Sequence, residues 1–141
     1  LSTLRGEDKI RSIKTRVNQS VFRQIVLVNY DKRCAISGVA IADLLVASHI
    51  IPWSKNEKER LNPENGLCLS AIHDKAFDKG LIGIDTESKI ILSKALKKHC
   101  RDPYFEHYFG QFEGKPIGQA EKYPPRKSFL EYHLEHIFRN D

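Results

Sequence analysis

The sequence predicts an α+β fold: two short apolar strands, split by a charged loop, run directly into a short helix, and further helices flank this unit. Three stretches carry that prediction. Residues 44–50 are an apolar run of strand length that Pro52 stops. Residues 66–70 form a second such run, and the loop over 54–64 between them is too charged for a core to accept. Residues 71–79 follow at once as a helix, with Gly80 placed to end it.

The remaining elements follow in order. With 141 residues the chain suits one domain with a modest core. Residues 1–16 are polar and carry Arg5, Lys9, Arg11, Lys14 and Arg16, so they read as a basic linker or arm, helical in part, ahead of a single domain over 17–141. A helix over 18–30, capped by Asn18 or Ser20, sets Val21, Phe22, Ile25, Val26 and Asn29 at helical spacing. Residues 34–38 read as a short strand turning at Gly38, and residues 81–85 and 89–92 as a hairpin around 86–88. Residues 94–127 show no clear period and predict irregular packing, with Tyr104, Phe105, Tyr108 and Phe109 as packing groups. A last helix starts at Ser128, where Ser128-Phe129-Leu130-Glu131 has the form of a capping box and Leu130, Leu134, Ile137 and Phe138 share a face.

Composition bounds the function classes. Forty per cent hydrophobic and 29% charged residues exclude a wholly disordered chain, and a net charge of +5 leans towards a polyanionic partner. Cys34, Cys68 and Cys100 are odd in number and far apart, which excludes both a Cys-x-x-Cys zinc knuckle and an even disulfide framework. They fit a reducing, cytoplasmic setting. No run is apolar enough to span a bilayer, no signal peptide is present, and a chain opening on Leu1 reads as a piece of something longer.

The chemistry concentrates in residues 44–80. Hydrolysing a phosphodiester takes a deprotonated water, neutralisation of charge growing on phosphorus, and help for the leaving oxygen. His49, at the end of a rigid apolar strand, suits the first task because neutral imidazole is available near pH 7. Asn65 opens the second strand; Asn-Gly alone marks only a turn, but its amide can also bind backbone across the loop and hold the base-bearing segment in shape. Asp74 and Asp78 stand four residues apart and share a helix face, able to offer two oxygens to one hard cation. His73 is the rival ligand, and Ser48 a poor one by type. Arg33, Lys55, Lys58, Arg60 and Lys79 surround this unit in sequence and are candidates for phosphate contacts, whereas Trp53 reads as packing beneath the loop.

Residues 33–85 resemble an HNH endonuclease of the ββα-metal fold, in the branch of bacterial restriction-type enzymes. The matching stretches are Arg33-Cys34-Ala35-Ile36-Ser37-Gly38, Ala47-Ser48-His49-Ile50-Ile51-Pro52-Trp53, Asn62-Pro63-Glu64-Asn65-Gly66-Leu67 and His73-Asp74-Lys75-Ala76-Phe77-Asp78-Lys79-Gly80-Leu81-Ile82. Weaker similarity covers Asn18-Gln19-Ser20-Val21-Phe22-Arg23 and Phe129-Leu130-Glu131-Tyr132-His133. The resemblance implies His49 as the catalytic base, Asn65 as the middle asparagine of the catalytic motif, and a metal ligand at the third motif position. In colicin-like nucleases that ligand lies nine residues after the asparagine with another four further on, which here are Asp74 and Asp78. Two departures stand out: Ser48 replaces the usual ligand before the base, and the cysteine knuckle is absent.

The resemblance thus implies a metal-dependent endonuclease cutting double-stranded DNA to 5′-phosphate ends, with one divalent ion: Mg2+, or Mn2+ or another transition metal. It implies a catalytic domain whose specificity comes from a separate recognition domain. One such site cuts one strand, so a double-strand break takes a homodimer or two events. A catalytically silent DNA-binding module, favoured by Ser48, and an RNA-cleaving toxin are the competing readings.

Overall fold

A computed structural model describes residues 6–52 and 55–140, so Arg5 and Trp53 lie outside the described residues. Helix α1 (Gly6–Asn29) leads into a turn over 31–38, then strand β1 (Leu45–His49), strand β2 (Gly66–Ser70) and helix α2 (Ala71–Asp78). Strands β3 (Ile82–Ile84) and β4 (Ile90–Leu92) follow, then two single-turn helices, α3 (Lys94–Lys97) and α4 (Phe105–Tyr108), and the closing helix α5 (Lys127–His136).

Strands β1 and β2 pair antiparallel, with Leu45 opposite Ser70 and His49 opposite Gly66. With α2 they make a ββα unit. Every residue of β2 is buried, because β1 covers one edge and the Ala35 amide bonds the Cys68 carbonyl on the other. That explains its unbroken apolar sequence: a strand enclosed on all sides has no solvent face to alternate. Helix α1 crosses both strands so closely that a Cβ on Gly66 would come within 2.5 Å of Val26 and 3.0 Å of Phe22. Gly80, at φ +72°, ends α2 in the left-handed region, and a Cβ there would strike the Ile137 carbonyl after α5. The backbone bond from Arg139 to the Gly80 carbonyl ties the two helix ends together.

Several expectations need correction. The expected helical part of the basic arm is residues 6–16, continuous with α1, so that helix starts well before residue 18; its side chains are nearly all exposed, Ile10 and Ile13 included. Residues 34–38 form a turn, not a strand: the Cys34 sulfur accepts from the Ile36 and Ser37 amides at 3.4 and 3.3 Å, closing the chain on itself. Ser128 lies inside α5; Arg126 stands at the cap and its carbonyl accepts the first helical bonds from Phe129 and Leu130. Residues 94–127 hold short helical turns that bury Phe105, Phe109 and Ile117, while Tyr104 and Tyr108 stay exposed. Asn29, placed on the apolar face of α1, is a buried anchor: its side chain bonds the Lys122 and Tyr123 amides and the Tyr123 carbonyl. No helix among the described residues is long and apolar enough to cross a membrane.

Candidate nuclease site

A cleft of about 310 Å³ opens where the end of β1, α2 and α5 meet, lined by Val46, Ser48, His49, Pro52, Asp74, Asp78, His133 and Ile137 among others. The strand pairing fixes the first wall. His49 ends β1 half-buried, its ring lying flat on Phe22 of α1 at 4.5 Å between centroids and 9° between planes. Its Nε2 bonds the Arg60 carbonyl at 2.8 Å, which places the proton on Nε2 and the lone pair on Nδ1. Withdrawal from water pushes its pKa below 6.5, with the Arg60 carbonyl and the Asp74 carboxylate pulling partly the other way. The imidazole is therefore neutral and basic at pH 7.

Asn65 does not line the cleft. It is 1% exposed, and its side chain accepts from the Ile51 amide at 2.8 Å and donates to the Ile51 and Glu59 carbonyls at 3.2 Å each. Glu59 neighbours Arg60, so the amide pins the loop that supplies the carbonyl orienting His49. Arg126 reinforces the same loop through ion pairs to Glu59 and Glu64. Neither acidic partner nor Arg126 stood out in the sequence, because a contact more than sixty residues apart leaves no local pattern.

The opposite wall carries Asp74 and Asp78 on one face of α2. Partial desolvation and the neighbouring Asp74 carboxylate raise the Asp78 pKa to about 6. Two carboxylates that repel from neighbouring turns of one wall gain from a cation between them. Among the described residues no three His, Cys, Asp or Glu side chains stand close enough together to enclose an ion. The donor set thus fits a hard cation that keeps several waters, as Mg2+ does, and does not fit a closed tetrahedral zinc site.

The other sequence candidates separate. His73 is 2% exposed with both ring nitrogens engaged, Nδ1 by the Ser70 hydroxyl at 2.8 Å and Nε2 by the Tyr108 carbonyl at 2.7 Å. It has no lone pair to offer an ion and sits outside the cleft, so its place as a rival ligand is corrected to a packing role. Ser48 lines the cleft, 2% exposed, with its Oγ unpartnered. Arg33 pairs with Asp31 at 3.6 Å on the turn beyond the far edge of β2, and the structure does not bring it to the cleft. Lys55 and Lys58 are exposed on the loop between the strands, Arg60 is half-buried there, and Lys79 is exposed beside Asp78.

His133 entered the sequence reading only as the end of the weakly similar stretch 129–133, with no role at the site. It lies one turn after Leu130 on the buried face of α5, its ring flat on Phe77 at 3.7 Å and its Nε2 donating to the Phe77 carbonyl at 2.9 Å. Burial lowers its pKa to about 4. The unfolded imidazole titrates near 6.5, so the stabilisation is complete above that pH and is lost as pH falls to about 4. Urea unfolding should show this ring removing about 3 kcal/mol across that window, a loss that His133→Gln escapes.

Residues 34–85 match the family model described as HNH endonuclease. Among solved structures, the chain is similar to a "Modification dependent TagI restriction endonuclease" at 18% identity and a TM-score of 0.58, over 82% of this chain and 37% of that one. The chain therefore spans little more than a third of that structure, and the likeness is one of fold. No curated protein matches the sequence.

Proposed function

We propose that the chain, whose residues 34–85 match the HNH endonuclease model, is a metal-dependent endonuclease of DNA in which His49 is the general base. One observation carries this reading: a neutral imidazole, oriented through Nε2, shares a cleft with two carboxylates on the facing helix. His49 takes a proton from the attacking water at Nδ1, while the Arg60 carbonyl holds the ring and steadies the imidazolium that results. Asp74 and Asp78 would hold the divalent ion. When bound, that ion supplies charge neutralisation at the phosphate and at the leaving oxygen. Lys55, Lys58 and Arg60 of the loop between the strands, and Lys79 after α2, are the cations proposed to meet the flanking phosphates. The fold likeness to the TagI enzyme is the ground for extending the proposal to a restriction role.

Supercoiled plasmid, single-stranded RNA and transfer RNA, each incubated with the chain and Mg2+ or Mn2+, test the reading. The expected result is conversion of plasmid to open circles, stopped by EDTA, with RNA left whole. Intact plasmid under every divalent ion tried overturns the enzyme assignment in favour of a silent binding module. Cleavage that survives EDTA overturns the metal dependence.

A further inference from the structure

Three buried side-chain polar atoms among the described residues have no hydrogen-bond partner: Tyr30 Oη, Ser48 Oγ and His133 Nδ1. Two of them, Ser48 and His133, line the same cleft as Asp74 and Asp78. An unpartnered buried polar atom is costly, so two residues that each carry one, lining a cleft with two carboxylates, point to a ligand that brings hydrogen-bond donors. We propose that His133, which lies outside the nuclease motif, belongs to the ion site: its Nδ1 accepts a hydrogen bond from water carried by the divalent ion at Asp74 and Asp78.

The ring is set up for that task. Donation from Nε2 to the Phe77 carbonyl fixes the tautomer and leaves the lone pair on Nδ1, and the stack on Phe77 stops the ring from turning away. Histidines at metal sites are commonly held in this manner by a backbone carbonyl on the second nitrogen. Burial keeps the ring neutral at physiological pH, so it offers an acceptor and adds no charge to repel a cation. The contact runs through water because no three candidate ligands stand close enough for direct coordination. Ser48 is too short to replace a longer ligand before the base, and a residue contributed by α5 supplies part of what that position lacks. Phe77 immediately precedes Asp78, so α5 holds the ion-facing end of α2 and lines its cleft through one side chain.

The proposal rests on the reading of Asp74 and Asp78 as the ion's holders, and its test separates the two. Mn2+ binding to the full chain is measured by electron paramagnetic resonance for wild type, the double variant Asp74→Asn with Asp78→Asn, and His133→Phe. Phenylalanine keeps a ring to stack on Phe77 and carries no acceptor, while the Phe77 carbonyl retains the Gly80 amide. The expected result is one Mn2+ bound by wild type, none by the double variant, and an affinity about tenfold weaker in His133→Phe. Wild-type affinity in a folded His133→Phe overturns the proposal and leaves the carboxylate site standing. Absence of Mn2+ binding by wild type removes the carboxylate site and this proposal with it. Should the phenylalanine variant not fold, nitrogen-15 resonances of wild-type His133 decide: Mg2+ shifts Nδ1 and leaves Nε2 in place, and an unmoved Nδ1 overturns the proposal.

Discussion

His49→Ala should lower the plasmid nicking rate by about a thousandfold, near the middle of the range for loss of a positioned general base. The size follows from how the ring is held. Its Nε2 is committed to the Arg60 carbonyl, so proton abstraction falls to Nδ1 alone. Its face rests on Phe22, so the ring cannot swing out of the cleft without uncovering the core of α1. Water in place of the side chain would have to be both base and nucleophile at neutral pH. The same arrangement fixes the pH profile. Desolvation sets the pKa below 6.5, so the wild-type rate should climb with pH through that lower value and level off before neutrality. The variant should lose this limb of the profile. A His49→Ala protein that nicks within tenfold of wild type, or a wild-type rate still climbing steeply through pH 7 to 8, removes His49 from the reaction. Loss of the stacked ring costs stability too, about 1–2 kcal/mol by the burial it supplies, so the comparison belongs well below the melting temperature of both proteins.

The ββα unit was legible in the sequence because its signals are local. An apolar run stopped by Pro52, a second run enclosed on both edges and a helix ended by Gly80 each depend on neighbours a few residues away. The early start of α1 was harder to read: Ile10, Ile13, Val17 and Val21 recur at helical spacing, but the basic residues among them suited an arm equally well. The i, i+4 spacing of Asp74 and Asp78 placed both on the cleft face, and the same geometry turned adjacent His73 about 100° round α2, off the cleft, where Ser70 and Tyr108 take its nitrogens. His133 was hidden because its meaning is tertiary. A histidine among apolar residues of a terminal helix looks like any core position until the Phe77 carbonyl, 56 residues earlier, is found opposite it.

Asn65→Ala should cost about 3–5 kcal/mol of unfolding free energy in urea. The substitution leaves the Ile51 amide, the Ile51 carbonyl and the Glu59 carbonyl buried beside a methyl group. Each orphaned polar group costs about 1–3 kcal/mol, reduced where the loop can relax towards water. Asn65→Asp serves as the sharper control. Its carboxylate keeps an acceptor for the Ile51 amide but turns a negative oxygen on two carbonyls that had received a donor, so it should fall at or below alanine in stability. Activity should follow through a longer chain: release of Glu59 frees Arg60, and the carbonyl that orients His49 drifts. In whatever fraction stays folded, the nicking rate should drop while affinity for DNA holds, since Asn65 is sealed from solvent and touches no phosphate. Unfolding of Asn65→Ala within 1 kcal/mol of wild type would show that the loop is held mainly by the Arg126 ion pairs to Glu59 and Glu64, and that the asparagine's place in the motif has another cause.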